Sequence, residues 1–131
     1  MIKFRAWDKK TKEYFHISEL WNSGTNPECF DFDGWTDNFG NKGRLKDIAI
    51  EQFTGLKDVN GNEIYENDII VSRPTEPILG SPKIGVVKLS KVSFSWCYET
   101  GNNEYNIWKT DKYRTYEVIG NVHANPELLV E

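Results

Sequence analysis

Asn60-Gly61 constrains the backbone more tightly than any other dipeptide in this chain. Asn followed by Gly best tolerates positive φ at both central positions of a two-residue type I′ turn. Apolar residues flank the pair, Phe53 and Leu56 before it and Ile64 and Tyr65 after it. The expectation is a tight β-hairpin centred on this dipeptide.

The same stretch bears a faint likeness to a calcium loop, through Asp58, Asn60, Asn62 and Glu63. An EF-hand requires Gly at the sixth position and a bidentate Glu at the twelfth. Counted from Asp58, those positions hold Glu63 and Ile69, so turn chemistry is the reading taken and no metal is expected. Asn67 suits a left-handed backbone position. Asp68 is expected to accept backbone N–H groups and anchor the turn into the apolar run Ile69-Ile70-Val71, rather than act as a catalytic carboxylate.

At 131 residues the chain is expected to form one domain that needs neither disulfides nor metal to hold a core. Aromatic residues make up 14%, including five Trp, and no helical period is sustained, which favours strands. The formal charge of −4 argues against a general affinity for nucleic acid, because such binding rests on Lys and Arg neutralising phosphates, but it leaves room for a local basic patch. The N-terminal stretch has no apolar h-region, and no run is long enough to span a membrane. The two cysteines, Cys29 and Cys97, belong to no CxxC pair. A reduced, cytoplasmic protein is expected.

Residues 2–7 alternate, with Ile2, Phe4 and Ala6 on one face and Lys3 and Arg5 on the other. A polar turn follows, with Lys9, Lys10 and Lys12 read as solvated, and Tyr14 to Ile17 return as a second strand. Residues 22–44 are dominated by Asn, Gly and Asp, with Phe30, Phe32, Trp35 and Phe39 among them. A long irregular excursion is expected there, packing onto its own domain or a neighbouring subunit. Asp31, Asp33 and Asp37 lack further oxygen ligands in a defined pattern and are read as solvated. Residues 45–54 are read as a strand.

Pro74, Pro77 and Pro82 mark an exposed connector. Beyond it Val92, Phe94, Trp96 and Tyr98 alternate with Ser93, Ser95 and Cys97, as in a strand with one aromatic, buried face. A turn at Gly101-Asn102-Asn103 and a strand from Glu104 to Thr110 come next. In the last segment Gly120 signals a bulge or close backbone approach. Asn125-Pro126-Glu127 signals a helix start, after which Leu128 and Leu129 dock a single turn.

No catalytic or metal motif is present. His16 and His123 lie far from Cys29 and Cys97 in sequence, and a buried, inert Cys is favoured over a nucleophile–base pair. The five Trp are read as packing residues before a stacking platform for bases or sugars.

Three blocks taken together, IKFRAWDKKTKEY, FTGLKDVNGNEIYENDII and YEVIGNVHANPELL, resemble the YopX family of bacteriophage and prophage proteins, whose function is poorly defined. Asn67 stands where that family usually has Gly, and both residues accept a left-handed backbone. The resemblance implies a mainly β fold: an N-terminal hairpin and irregular loop over 1–50, an SH3-type small barrel over 51–131, few short helices, and homo-oligomers. It implies no enzyme activity, no catalytic residues and no cofactor.

The functional expectation is therefore a non-enzymatic, self-associating interaction module in the cytoplasm of the bacterial host, with a host or phage protein as a further partner and no membrane. Phe32, Trp35 and Phe39 are its candidate contact residues. The alternative is an accessory nucleic-acid-binding factor in phage replication or transcription, with Lys88, Lys91, Lys109, Lys112 and Arg114, together with Lys83, forming a basic face. An enzyme is the lesser alternative.

Overall fold

The computed structural model describes residues 4–21, 32–109 and 111–129. Ile2, Lys3, Cys29, Phe30, Asp31 and Thr110, named above, lie outside them. The chain divides into two compact units, Met1–Gln52 and Phe53–Glu131. Both are built from antiparallel strands, and among the described residues the helical pieces are short 3₁₀ turns.

The strands of the first unit are β1 (Phe4–Asp8), β2 (Glu13–Phe15), β3 (Ile17–Trp21), β4 (Gly34–Asp37), β5 (Lys42–Arg44) and the opening of β6 (Ile48–Lys57). β1 pairs with β2 on one side and β6 on the other. The β1–β2 reversal is set by Asp8, whose Oδ1 accepts the Lys10 and Thr11 N–H groups at 2.8 and 3.2 Å. Lys12 closes it at a φ of 60°. The alternation expected along β1 is only half kept: Ala6 is buried, but Phe4 is 45% exposed. The opposite face is closed instead by a polar–aromatic cluster. Arg5 Nε donates to Glu51 Oε1 at 2.8 Å, and its guanidinium lies 4.2 Å over the Tyr14 ring. Tyr14 OH donates to the same oxygen at 3.0 Å, and Trp7 meets Tyr14 edge-on at 4.9 Å. Glu51 is fully buried, and a buried carboxylate persists only when it is paired and hydrogen-bonded in this way.

Residues 34–44, expected to be irregular, instead form β4 and β5, which join β3 in a three-stranded sheet. Glycines that look like loop formers serve here as seats for rings. Trp21 pairs across the ladder with Gly34, and Trp35 with Gly43. A Cβ on Gly34 would lie 2.4 Å from the Trp21 ring, and one on Gly43 would lie 2.5 Å from the Trp35 ring. A ring lying over a strand glycine fills the space the absent side chain leaves.

The second unit continues β6 and adds β7 (Glu63–Tyr65), β8 (Asp68–Pro74), β9 (Lys83–Leu89), β10 (Trp96–Thr100), β11 (Asn103–Asn106) and β12 (Arg114–Asn121). Its main sheet has the order β11-β10-β9-β8-β12, over a core of Ile64, Ile70, Val87, Tyr98, Ile107 and Tyr116. Hairpin β6–β7 forms as expected, but its turn is not type I′. Gly61 alone has positive φ (84°), and the loop runs from Asp58 to Asn62, between the paired Lys57 and Glu63. Asp58 displaces the two-residue turn because its buried carboxylate gathers the loop. Oδ1 accepts the Asn60 and Asn62 N–H groups at 2.9 and 2.8 Å, and Oδ2 accepts the Val118 N–H at 3.0 Å. Burial pushes this carboxyl up, but those bonds outweigh it and hold the pKa below the ordinary aspartate value.

Asn67 is left-handed, at a φ of 69°, and Asp68 Oδ2 accepts the Tyr65 N–H at 2.8 Å, both as expected. Gly120 sits at a register shift in β12, and a Cβ there would meet Asn125 Oδ1 at 2.6 Å. Pro126–Leu129 makes one 3₁₀ turn packed against β9, while the Asn125 side chain accepts the Asn121 N–H. β11 ends at Asn106, short of the expected Thr110.

The single aromatic strand expected through Val92 to Tyr98 is instead part of an exposed tip, after which β10 begins at Trp96. Ser90 breaks it: its Oγ accepts the Val92 and Ser93 N–H groups, and its carbonyl accepts the Phe94 N–H at 3.0 Å. A hydroxyl that satisfies the following backbone competes with the ladder, so the chain turns.

Candidate interaction surface

The sequence-predicted contact residues separate once they are placed. In the first unit Phe39 caps the β4–β5 reversal and is 90% exposed. Asp37 builds that reversal, accepting the Phe39 and Asn41 N–H groups on Oδ1 and the Asn41 carboxamide on Oδ2, all at 2.9 Å. These bonds hold its carboxyl below the ordinary range against the upward push of desolvation. Asp33 lies 3.7 Å from Arg44 in an ion pair. Phe32 is exposed. Trp35 is not free for a partner: it packs on Gly43 and on Phe15, whose ring centre is 4.7 Å away. Its buried indole N–H has no hydrogen-bond partner among the described residues.

Within the expected basic face of the second unit, Lys88 and Arg114 are committed to partners inside the fold. Lys88 is held between Glu99 and Glu104, lying 3.1 Å from the latter, and these hydrogen bonds push its pKa up. Glu104 is held low in turn by Lys88 and by the Ser90 hydroxyl at 2.9 Å. Arg114 ties strands together. Its Nε donates to Ser72 Oγ at 2.6 Å, and one terminal nitrogen donates to the carbonyls of Ser72 and Ser81 at 3.0 and 2.9 Å. Lys83 lies 3.9 Å over the Tyr105 ring. Lys91, Lys109 and Lys112 remain exposed.

Two surfaces stand out that the sequence reading did not isolate. One is the β9–β10 tip, Ser90–Ser95, where Val92 is 87% exposed and Phe94 78%. Phe94 has a φ of 58°, a left-handed conformation that a bulky side chain rarely adopts. The tip is held by the three Ser90 acceptances, by the Ser90 N–H donating to the Ser95 carbonyl at 2.9 Å, and by the 2.7 Å hydrogen bond between the Ser93 and Ser95 hydroxyls. The second carries Trp108, Lys109 and residues 111–113, with the Trp108 and Tyr113 rings outward. Asp111 within it accepts the Tyr113 and Arg114 N–H groups and the Tyr116 hydroxyl at 2.7 Å. Burial, reinforced by that bond to Asp111, pushes the Tyr116 phenol well above its ordinary pKa.

Cys97, the cysteine among the described residues, does not resemble an activated nucleophile. Cys97 is fully buried, and burial pushes its thiol up rather than down. His16 lies in the other unit, in a groove with Phe4 and Ile17. Among the described residues no three His, Cys, Asp or Glu side chains gather to hold a metal ion. No described helix is long and apolar enough to cross a membrane.

Two solved structures share the fold. Protein EF1440 of Enterococcus faecalis is 24% identical with a TM-score of 0.68, the match covering 98% of each chain. Protein yopX of Bacillus subtilis is 22% identical with a TM-score of 0.64, over 98% of this chain and 95% of that one. No curated protein matches the sequence. The family model described as YopX protein matches residues 3–130, nearly the whole chain, and on that match this mainly β protein belongs to the YopX family.

Proposed function

We propose that this chain is a non-enzymatic interaction module that associates with further copies of itself, and that the Ser90–Ser95 tip is its contact. The observation that carries the reading is Phe94, a large apolar ring that is 78% exposed on a backbone position unfavourable for it. An exposed ring is ordinary by itself, but one retained in a strained, fully hydrogen-bonded turn has a cost that folding does not recover. A partner that covers Phe94 and Val92 would recover it, since burying such side chains is worth about 1.5–3 kcal/mol each. An SH3-type barrel for the second unit, a phage or prophage setting and action in the bacterial cytoplasm belong to the same proposal.

Sedimentation velocity over a concentration series tests it. The wild-type chain is expected to assemble, and Val92→Ser with Phe94→Gly to sediment as the monomer while keeping its circular dichroism. A wild type that stays monomeric, or a double variant that assembles as well as the parent, would overturn the proposal. So would dissociation caused by Phe39→Ser alone.

A further inference from the structure

We propose that the surface carrying Trp108, Lys109, Lys112 and Tyr113 is a binding site for single-stranded nucleic acid, with Trp108 and Tyr113 stacking on bases and Lys109 and Lys112 contacting the phosphates. The two rings are 59% and 61% exposed, and among the described residues neither stacks on another ring. Lys109 and Lys112 are exposed and in no ion pair among the described residues. An open cleft of about 580 Å³ is lined by Trp108, Asp111, Lys112, Tyr113 and Arg114, and Lys109 follows Trp108 in the chain. A second cleft shares Trp108, Asp111 and Arg114 with it and leads on to Lys83 and Tyr105. The two adjoining clefts thus bring the Trp108, Tyr113 and Tyr105 rings together with Lys112, Arg114 and Lys83.

The platform is held before any ligand arrives. Ile107 is buried at its start and donates its N–H to the Trp96 carbonyl at 3.0 Å. At its end, Thr75 donates its N–H to the Tyr113 carbonyl at 2.8 Å and its hydroxyl to the Lys112 carbonyl at 3.0 Å. The acids nearby are already occupied. Asp111 accepts from Tyr113, Arg114 and Tyr116, and Glu104 from Lys88 and Ser90. Asp111 keeps its negative charge, its carboxyl held low by those bonds against the upward push of burial, but the cations Lys83, Lys112 and Arg114 that line the two clefts outnumber Asp111 and Glu104.

Exposed rings beside uncommitted lysines distinguish this surface from a protein-docking patch, whose centre is depleted in Lys. Stacking on aromatic rings, with a basic groove along the backbone, is how unpaired strands are held without sequence preference. A duplex keeps its base faces hidden and offers the rings nothing.

The full-length protein is titrated into fluorescein-labelled (dT)20, (U)20 and a 20-base-pair duplex, read by anisotropy at low and moderate salt. The expected result is binding of a single strand in preference to duplex, with the two single-strand arms separating DNA from RNA. Trp108→Ala should weaken it by about tenfold, within the range for one base–aromatic stack. Lys109→Ala with Lys112→Ala should flatten the log–log salt dependence by about 1.4, at about 0.7 per phosphate contact. Trp108→Phe should retain most of the affinity, which separates stacking from a folding defect. Absence of binding at low salt, equal affinity for duplex, or wild-type affinity in Trp108→Ala would each overturn the proposal. So would loss of self-assembly in Trp108→Ala without loss of oligonucleotide binding, which would make this surface a protein contact.

Discussion

Replacing Asp58 with Ala removes one carboxylate and releases three backbone donors at once. Two of them, Asn60 and Asn62 N–H, lie in an exposed loop where water can take over, at about 0.5–1 kcal/mol each. The third, Val118 N–H, is 60 residues away in sequence, beside the irregularity in β12, and is only partly exposed. An orphaned donor there costs about 1–3 kcal/mol. The expected loss is about 2–5 kcal/mol, and Asp58→Asn should lose about half as much, because an amide has one acceptor oxygen where the carboxylate has two. Urea denaturation followed by circular dichroism reads the total, and hydrogen exchange at the Val118 amide reads the long-range part. The sign of the pH dependence follows from the same bonds. The folded carboxyl is depressed below the ordinary value of 3.8, so its contribution is complete above that pH and is lost as pH falls through the lower, folded value. Asp58→Asn should remove that acid-side decline. A variant that keeps the parent's urea midpoint and its Val118 protection would refute the assignment of Asp58 as the tie between turn and β12.

Gly43→Ala should destabilise the first unit by about 1–3 kcal/mol, since its Cβ would lie 2.5 Å from the Trp35 ring; a thermal melt followed by Trp emission checks it. Glu51→Ala leaves Arg5 and the Tyr14 hydroxyl facing a buried void, an expected loss of about 3–5 kcal/mol, and Glu51→Gln should recover part of it in the same melt. Phe94→Gly removes about 1–2 kcal/mol of left-handed strain and adds about 0.5–1 kcal/mol of chain entropy on unfolding, so the variant should be up to about 1.5 kcal/mol more stable by urea titration. A clear loss of stability would show that the ring is held by packing and not displayed.

Much of the second unit was legible because its turns are written in residues with few other uses. Asn67, Asp68 and Gly120 each specify a backbone that little else would tolerate, and each is found as expected. Val92 and Phe94 misled because alternation reads the same in a buried strand and across an exposed tip; only Ser90, an ordinary serine in sequence, separates the two by turning its hydroxyl onto the backbone. Gly34 and Gly43 were read as loop formers because a ring lying across a strand is a property of the partner strand, unknown until the register is. The candidate surface was the least legible part. Lys88 and Arg114 look like Lys109 and Lys112 in the sequence, and only the placement of Glu99, Glu104, Ser72 and Ser81 shows which cations are already committed.

Cys97 gives the second unit a chemical clock. It lies in β10 with ladder partners on both sides, in Lys88 and Asn106, and is shut away from solvent with its thiol pushed up by burial. A thiol reagent can reach it only while those neighbouring strands are apart. In a Cys29→Ser background it is the sole sulfhydryl in the chain, so the labelling rate with excess reagent reports how often the sheet opens. That rate is measurable with and without an oligonucleotide, and at dilutions on either side of assembly. One sulfur atom can therefore show whether either proposed partner reaches the sheet behind the surface it touches.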